Sequence, residues 1–328
     1  MCYVQLFAFH TGSLWALASA GSLGTLFVTG GEDRFLSVWS LDHRALVCRR
    51  RLQSSPVTCC FDQSNKFLAV GMSRGLVALY YFDFRGDGEQ SSRGGKSKRG
   101  QTSSISDVLA SRHDCSESIS DVKFSPSSDR LAVGSHDNFI DIYDVLLSAP
   151  RSSREAPTAR LHPHKRLRGH SSYITHLDWS LDGRLLQSTC GAYEILYWDA
   201  EAGKQFSTPN PSDLQWKSYS CILGFGVMGI WPPFADGTDI NSLHVSRDKS
   251  LVVTGDDSGL VNVFNYPCVV KNAPRKSLSG HSSHVTNVRF AYDDSVIVSV
   301  GGHDNCAISW VVTKKKLGNP APPDAGWV

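Results

Sequence analysis

The segment GHSSYIT at residues 169–175 recurs as GHSSHVT at residues 280–286. Each copy is followed, 28 or 29 residues after its His, by a Trp that closes a hydrophobic run. These two tryptophans are Trp198 and Trp310. A Gly-His start and a Trp end, repeated at this period, are typical of a β-propeller blade. The repeats therefore predict an all-β fold built from similar sheets.

Six blade-like units can be aligned on the end of their third strand, and the first runs from His10 to Trp39. The pattern predicts a WD-repeat β-propeller with six visible blades, or seven, each a four-stranded antiparallel sheet. The last unit ends at Val312 without a fourth strand, so the run from Tyr3 to Phe9 is predicted to complete the last blade and close the ring. The alternative is that the chain is a fragment whose upstream blade is missing. The predicted third strands end at Trp39, Tyr80, Tyr143, Trp198, Phe264 and Trp310.

The predicted propeller covers residues 1–313, and three of its units are longer than the 40 to 45 residues of a bare blade. The insertion at about 86–103 is rich in Gly, Ser and charge and is predicted to be disordered. The insertion at about 148–162 is predicted to be mobile, whereas the aromatic, Gly-rich one at about 216–241 is predicted to pack as an ordered element. Residues 314–328 form a basic, Pro-rich tail.

A His, a hydroxyl residue, an Asp and a Trp recur among the units and superficially resemble a catalytic set. The set decays between copies: Ala192 stands where unit four needs its Asp, and Val300 where unit six needs its hydroxyl. A catalytic triad needs one converged geometry, so these residues are predicted to form structural hydrogen-bond networks instead. Enzyme motifs are missing from the sequence, which predicts no enzymatic activity, cofactor or metal. The predicted structural residues are His10, Thr29, Asp33, Trp39, His170, Ser188, Trp198, His281, Asp304 and Trp310.

Composition narrows the functional classes further. The net charge is +2, so no global charge marks a nucleic-acid-binding protein. The nine cysteines have irregular spacing and no zinc-ligand pattern, which predicts reduced thiols in the cytoplasm. Residues 1–31 lack charged side chains, but they are interpreted as buried strands because no basic region precedes them. Residues 218–235 contain Pro and Gly breaks, so no membrane association is predicted.

Positive charge is concentrated in three segments that each follow a predicted third strand. Residues 85–100 carry a net charge of +3, residues 151–168 of +5, and the tail from residue 313 of +2. Loops at equivalent positions of a propeller emerge on one face, so a shared basic face for an acidic partner is predicted. The alternative is that these loops are basic only for solubility. The candidate partner-binding residues are Arg93, Lys96, Lys98, Arg99, Arg166, Arg168, Lys314, Lys315 and Lys316, together with Trp231.

Three stretches carry a resemblance to a known family: LAVGSHDNFIDIY at 131–143, the unit at 169–198, and LQWKSYSCILGFGVMGIWPPFADGTDIN at 214–241. Together they resemble the C-terminal propeller of the echinoderm microtubule-associated protein-like (EMAP-like) family. The third stretch is far more specific than a WD-repeat consensus. The resemblance implies a non-enzymatic cytoskeletal scaffold of the cytoplasm that binds tubulin and microtubules. It also implies that the chain corresponds to the second half of such a protein, or to a reduced relative.

The sequence is also compatible with a second functional class. A propeller can also serve as a general adaptor, such as a substrate receptor of a ubiquitin ligase or a signalling scaffold. Its contact site would then lie near the loops that lead into the blades, around Trp231 and Pro232. Recovery of ligase subunits rather than tubulin in a pull-down would favour this class.

Overall fold

The computed structural model describes residues 3–7, 10–21, 26–84, 103–150, 156–207, 210–232 and 239–313, with the backbone alone for residues 3–7. Within these residues, six antiparallel sheets form the blades of a propeller. The predicted all-β propeller with six blades is therefore confirmed. The only helices in the described part are two short 3-10 helices, Pro211–Asp213 and Phe225–Ile230.

The strands follow one another blade by blade along the chain. After β1 (Tyr3–Phe7), blade one contains β2 (Leu14–Ser19), β3 (Leu26–Gly31), β4 (Phe35–Ser40) and β5 (Ala45–Arg51). Blade two contains β6 (Pro56–Phe61), β7 (Phe67–Met72), β8 (Val77–Asp83), the short β9 (Ser104–Ile105) and β10 (Ala110–Arg112). Blade three contains β11 (Ile119–Phe124), β12 (Arg130–Ser135), β13 (Phe139–Ser148) and β14 (Thr158–Arg168).

The second half repeats this pattern. Blade four contains β15 (Ile174–Trp179), β16 (Leu185–Cys190), β17 (Ile195–Asp199) and β18 (Lys204–Phe206). Blade five contains β19 (Ile240–Val245), β20 (Leu251–Asp256), β21 (Leu260–Asn265) and β22 (Arg275–Ser279). Blade six contains β23 (Val285–Phe290), β24 (Val296–Gly301) and β25 (Ala307–Val311), and its fourth strand is β1.

The ring is closed by the pairing of β1 with β25. The antiparallel register runs from Tyr3 opposite Trp310 to Phe7 opposite Ala307. The predicted closure by the N-terminal strand is therefore confirmed for residues 3–7, while Ala8 and Phe9 lie outside the described residues. Closure satisfies the backbone groups of the last blade that would otherwise form an open sheet edge.

Each blade contributes its first strand to the central channel and its fourth strand to the outer wall. Successive strands alternate in direction, so the loops fall on two faces. We call the face with the inter-blade loops and the turns between second and third strands the upper face. The face with the remaining turns is the lower face. All six predicted third-strand ends lie in third strands, and their aromatic rings are buried: Trp39, Tyr80, Tyr143, Trp198, Phe264 and Trp310.

Neighbouring blades pack closely where a glycine of the second strand meets the first strand of the next blade. A Cβ added at Gly134 would lie 2.6 Å from Ile174 Cγ2, which is tighter than any real packing contact. Gly30, Gly71 and Gly255 make similar approaches to the following blade. Thr189 occupies the corresponding position in blade four, where the ring contains an additional element.

That element is the inter-blade wedge, which we define as residues 215–232. Trp216 forms an antiparallel bridge with Ser180, so the wedge begins alongside blade four. The backbone N–H of Gly229 then donates to the carbonyl of Cys268, at 2.7 Å, in blade five. The predicted ordered insertion at about 216–241 contains this wedge, and residues 233–238 of it lie outside the described residues.

Blade three departs from the prediction of a mobile segment at about 148–162. Its hairpin is long: Ser148 pairs with Thr158 and Leu146 with Arg160. Ala159 and Leu161 are buried, so an alternating pattern extends β14 toward the hairpin tip. The prediction is therefore wrong for residues 158–162. The predicted disordered insertion falls mostly on residues 85–102, which lie outside the described residues, as does the tail 314–328.

Candidate functional site

Blade one contains a hydrogen-bonded network of four side chains. His10 Nε2 lies 2.9 Å from Thr29 Oγ1, and the Trp39 indole N–H donates to the same oxygen at 2.7 Å. His10 Nδ1 lies 2.9 Å from Asp33 Oδ2. Burial lowers the pKa of His10 below its usual 6.5, although Asp33 opposes this effect. The network thus fastens the loop that leads into the blade to its inner strands.

Blade six contains the same network, but its hydroxyl comes from a different residue than the sequence suggested. Ser299 Oγ lies 2.7 Å from His281 Nε2 and accepts the Trp310 indole N–H at 2.8 Å. The expectation that Val300 replaces the hydroxyl is therefore wrong, because the hydroxyl residue follows its His by 18 residues in blade six and by 19 in blade one. Burial, the largest single effect, would raise the pKa of Asp304, but the hydrogen bond to His281 at 2.7 Å, the charge of His281 and two backbone N–H donors together lower it.

Blade four has the His, the hydroxyl and the Trp of the network but lacks the Asp. His170 Nε2 lies 2.6 Å from Ser188 Oγ, which also accepts the Trp198 indole N–H at 2.7 Å. With Ala192 in place of an aspartate, Glu194 reaches back instead. Its carboxylate accepts the backbone N–H of Ser171 at 3.1 Å. Backbone and side-chain donors of Ser171 and the Cys190 thiol lower the pKa of Glu194 to about 2.

An open cavity of about 600 Å³ lies where the central channel meets the upper face. Exposed aromatic side chains stand at its rim, including Trp15 and Tyr173. Deeper in the channel, the Lys123 ammonium donates to Asp121 at 2.7 Å. Arg289 adds a second cation there, and its Nη1 donates to the Val288 carbonyl at 2.7 Å. Burial is the main effect that lowers the pKa of Arg289.

Of the predicted partner-binding cations, the structure describes Arg166 and Arg168, and both lie toward the upper end of β14. Arg168 pairs with Phe139 at the upper end of the long hairpin, whereas Ser148 pairs with Thr158 at its lower end. The prediction of a single basic face is therefore wrong for Arg166 and Arg168, because β14 carries them back across the height of the blade. The remaining predicted cations lie outside the described residues: Arg93, Lys96, Lys98, Arg99, Lys314, Lys315 and Lys316.

The two described candidates differ in what they contact. Arg166 donates to the buried carboxylate of Asp141 through Nε at 2.6 Å and Nη2 at 2.8 Å. Arg168 is exposed and lies over the Phe139 ring, with its guanidinium carbon 4.3 Å from the ring centroid. Arg166 therefore compensates a buried charge, while the Arg168 guanidinium can meet a partner.

The outermost strands are basic, although four of their arginines pair with carboxylates of neighbouring segments: Arg49, Arg50, Arg112 and Arg166. The outermost strands of the six blades carry eleven Lys or Arg residues and no Asp or Glu. An outer strand needs polar residues facing solvent, but that need alone does not select one sign of charge. The strand β14 contributes four of the eleven, more than any other strand. The eleven cations are Arg49, Arg50, Arg51, Arg112, Arg160, Lys165, Arg166, Arg168, Lys204, Arg275 and Lys276.

Comparison with known proteins identifies the family. A family model described as the echinoderm microtubule-associated protein second beta-propeller matches residues 14–312. The chain belongs to the EMAP-like family. Human echinoderm microtubule-associated protein-like 3 is 40% identical over 315 residues, which cover 95% of this chain and 32% of that protein. Rat echinoderm microtubule-associated protein-like 2 is 39% identical over 304 residues, which cover 92% of this chain and 42% of that protein.

This EMAP-like chain also matches rat echinoderm microtubule-associated protein-like 1, at 37% identity over 92% of the chain and 34% of that protein. The chain thus spans about a third to two-fifths of the length of these curated relatives. The resemblance seen in the sequence is confirmed. The stretch that carried it most specifically, 214–241, includes the inter-blade wedge.

Trp231, the residue suggested for an adaptor site, packs as part of the wedge of this EMAP-like propeller. Its indole N–H donates to the Ile222 carbonyl at 3.2 Å, and its ring lies against a buried cluster of blade five. The eight cysteines that the structure describes are free thiols, and burial raises the pKa of Cys59 to about 12. Among the described residues, no helix has the length and apolar character needed to cross a membrane.

Proposed function

We propose that this chain is a non-enzymatic microtubule-binding propeller that attaches through its basic outer wall to acidic surfaces of tubulin. The observation that carries the proposal is the outer wall's eleven cations without a single acidic residue. Membership of a family whose members are named as microtubule-associated proteins supports the choice of partner. Family membership does not favour the general adaptor.

Within that wall, the strand β14 is the strongest candidate for the contact with an acidic segment of tubulin. Arg160, Lys165 and Arg168 are exposed, and none of the three forms an ion pair with another described residue. At about 3.3 Å per residue, the eight-residue step from Arg160 to Arg168 spans roughly 26 Å. An extended acidic segment, such as a tubulin tail, can lie along this line and neutralise successive charges.

The geometry of blade three stabilises this presentation. The Arg166–Asp141 pair fixes the upper half of β14 against β13, and the Phe139 ring supports the Arg168 guanidinium. Lys165 packs across Gly203, in the turn that precedes Lys204 of blade four, so the basic line continues onto the next blade. In this proposal the basic segments after the third strands, including Lys96 and Lys314 to Lys316, add to the same positive electrostatic field. The proposal also includes a cytoskeletal location for the protein.

Co-sedimentation with microtubules tests the proposal. The triple variant Arg160→Glu, Lys165→Glu, Arg168→Glu is expected to bind about tenfold more weakly or worse, because attraction becomes repulsion at three sites. A matched control reverses three exposed cations of the lower-face turns, Arg44, Arg184 and Lys249, with the same change in net charge. Equal loss in both variants would point to a general charge effect and would contradict the proposed surface.

A further inference from the structure

Blade four brings together three side chains that can ligate a metal ion. His170, Cys190 and Glu194 each offer one ligand atom, and the three atoms lie within 4.8 Å of one another. The Cys190 thiol lies 3.3 Å from Glu194 Oε2, and His170 Nδ1 lies 3.5 Å from the same oxygen. A tetrahedral zinc ion with ordinary bond lengths separates its ligand atoms by about 3.3 to 3.5 Å.

An independent observation points to a missing ligand. The His170 side chain is 1% exposed, yet its Nδ1 has no hydrogen-bond partner within the part of the chain that the structure describes. The distance of 3.5 Å to Glu194 is too long for a normal hydrogen bond. A buried nitrogen without a partner is costly, so native structures rarely leave one. In blades one and six the equivalent nitrogens lie 2.9 and 2.7 Å from Asp33 and Asp304.

In blade four, the side chains of Cys190 and Glu194 take the place of that aspartate, and both can ligate a metal ion. Cys190 stands where blades one and six have Gly31 and Gly301. A side chain at Gly301 would overlap the Asp304 carboxylate, so in blade six a cysteine at this position would displace that aspartate. Blade four has Ala192 there, and the space is taken by the thiol and by the Glu194 carboxylate.

Hydrogen bonds from neighbouring residues orient the His170 imidazole and the Glu194 carboxylate for metal binding. With His170 Nε2 as the protonated nitrogen, its N–H donates to Ser188 Oγ, 2.6 Å away, and Nδ1 presents a lone pair to the cluster. Ser171 holds the carboxylate through its backbone N–H and its hydroxyl, at 3.1 and 2.9 Å. Imidazole nitrogen, thiolate sulfur and carboxylate oxygen form a donor set that suits Zn²⁺ rather than Mg²⁺ or Ca²⁺.

We propose that His170, Cys190 and Glu194 form a zinc-binding site at the upper face of blade four. Zinc binding displaces the thiol proton of Cys190 to solvent and leaves the fourth coordination position for water. The ion takes the place of the missing aspartate and fastens the loop at His170 to the turn after β16. It therefore also orders Tyr173 and Tyr193, which stand at the rim of the channel cavity.

The test uses the full chain, reduced, stripped of metal by a chelator, and titrated with Zn²⁺ against a chromophoric competitor. One tight site per chain is expected, and Co²⁺ in its place should give a thiolate-to-metal charge-transfer band. Cys190→Ser and Glu194→Gln should each weaken Zn²⁺ binding at least tenfold, with the Co²⁺ band lost in Cys190→Ser. The control Cys306→Ser changes the cysteine beside the blade-six network and should leave binding unchanged.

A second variant keeps the test independent of folding defects. The double substitution Cys190→Gly with Ala192→Asp recreates the arrangement of blades one and six, so it should fold well and yet lose the tight zinc site. Absence of a tight site in the wild-type chain would overturn the proposal. So would wild-type affinity in Cys190→Ser or in the double variant. These readouts do not involve microtubules, so they are separate from the test of the proposed function.

Discussion

The carboxylate of Asp178 on β15 accepts the backbone N–H of Ser220 in the inter-blade wedge, at 2.8 Å from Oδ2. The same carboxylate accepts the backbone N–H of Cys221 at 2.9 Å and the amide of Gln187 at 3.1 Å. Asp178 is 0% exposed, so several donors compensate one buried charge. This relationship joins blade four to the wedge and, through the wedge, to blade five.

Substitution of Asp178 should therefore strongly destabilise the ring. Asp178→Ala leaves the donors of Ser220 and Cys221 buried without an acceptor, and we expect a loss of about 3 kcal/mol in the free energy of unfolding. Urea denaturation monitored by tryptophan fluorescence measures this loss. Asp213→Ala, at an exposed position just before the wedge, is the control and should change stability by less than about 0.5 kcal/mol. Similar losses in both variants would contradict the anchoring role.

The hydroxyl of Ser299 is expected to stabilise the fold, whereas a hydroxyl at position 300 is not. Ser299→Ala removes the acceptor of the Trp310 indole and the partner of His281, which should cost about 1 to 3 kcal/mol. Thermal unfolding of the variant measures the cost. Adding Val300→Thr to Ser299→Ala places a hydroxyl at the neighbouring position and should restore nothing. Recovery of stability in that double variant would show that the network is assigned to the wrong residue.

Substitutions of the two arginines at the upper end of β14 should affect different properties, one the stability of the fold and the other microtubule binding. Arg166→Ala leaves the Asp141 carboxylate buried and uncompensated, and a loss of about 3 kcal/mol in stability is expected. Arg168→Ala removes an exposed charge over Phe139, so its cost in stability should stay below about 1 kcal/mol while microtubule affinity falls. Chemical denaturation and co-sedimentation of both variants provide the comparison. A strongly destabilised Arg168→Ala chain would argue against its role in binding.

Stability should decline in mildly acidic solution because of the channel histidines. Burial lowers the pKa of His176 from 6.5 to about 4, and the nearby Lys123 and Arg289 act in the same direction against Asp121. The unfolded chain therefore takes up the proton first, and this contribution, complete above pH 6.5, is lost progressively as the pH falls from 6.5 towards 4. Unfolding at several pH values measures the slope.

His176→Gln should flatten part of that pH dependence, since His10, His170 and His244 also have lowered pKa values. His162→Gln, on the exposed face of β14, is the matched control for the loss of an imidazole. An unaltered slope in His176→Gln would mean that this imidazole is already charged in the folded protein.

Much of the fold could be predicted because each blade repeats a local pattern. The third strands were recognisable from alternating residues that end in Trp39 or its equivalents, and the closing strand from an unpaired run at Tyr3. The Ser299 hydroxyl could also have been found: it follows His281 by 18 residues, as Ser188 follows His170. The alternation of Ala159 and Leu161 similarly indicated the extension of β14.

Other features depend on tertiary contacts that one sequence does not reveal. Glu194 is two residues beyond the position of the missing aspartate, and only the folded turn shows that its longer side chain reaches Ser171. The wedge contacts of Asp178 join residues more than 40 positions apart. Arg168 lies far from the hairpin tip because β14 is long. The prediction of a mobile segment at about 148–162 missed the part of β14 that begins at Thr158.

The most direct test of microtubule binding through the outer wall is the salt dependence of co-sedimentation with intact microtubules and with microtubules whose acidic tails have been removed. Attachment through the outer wall should give pelleting of the wild-type chain at low salt that weakens steeply as salt screens the charges. Pelleting should fall sharply without the tails and in the β14 charge-reversal variant. Binding that is insensitive to salt, to the tails and to β14 would rule out attachment through the outer wall.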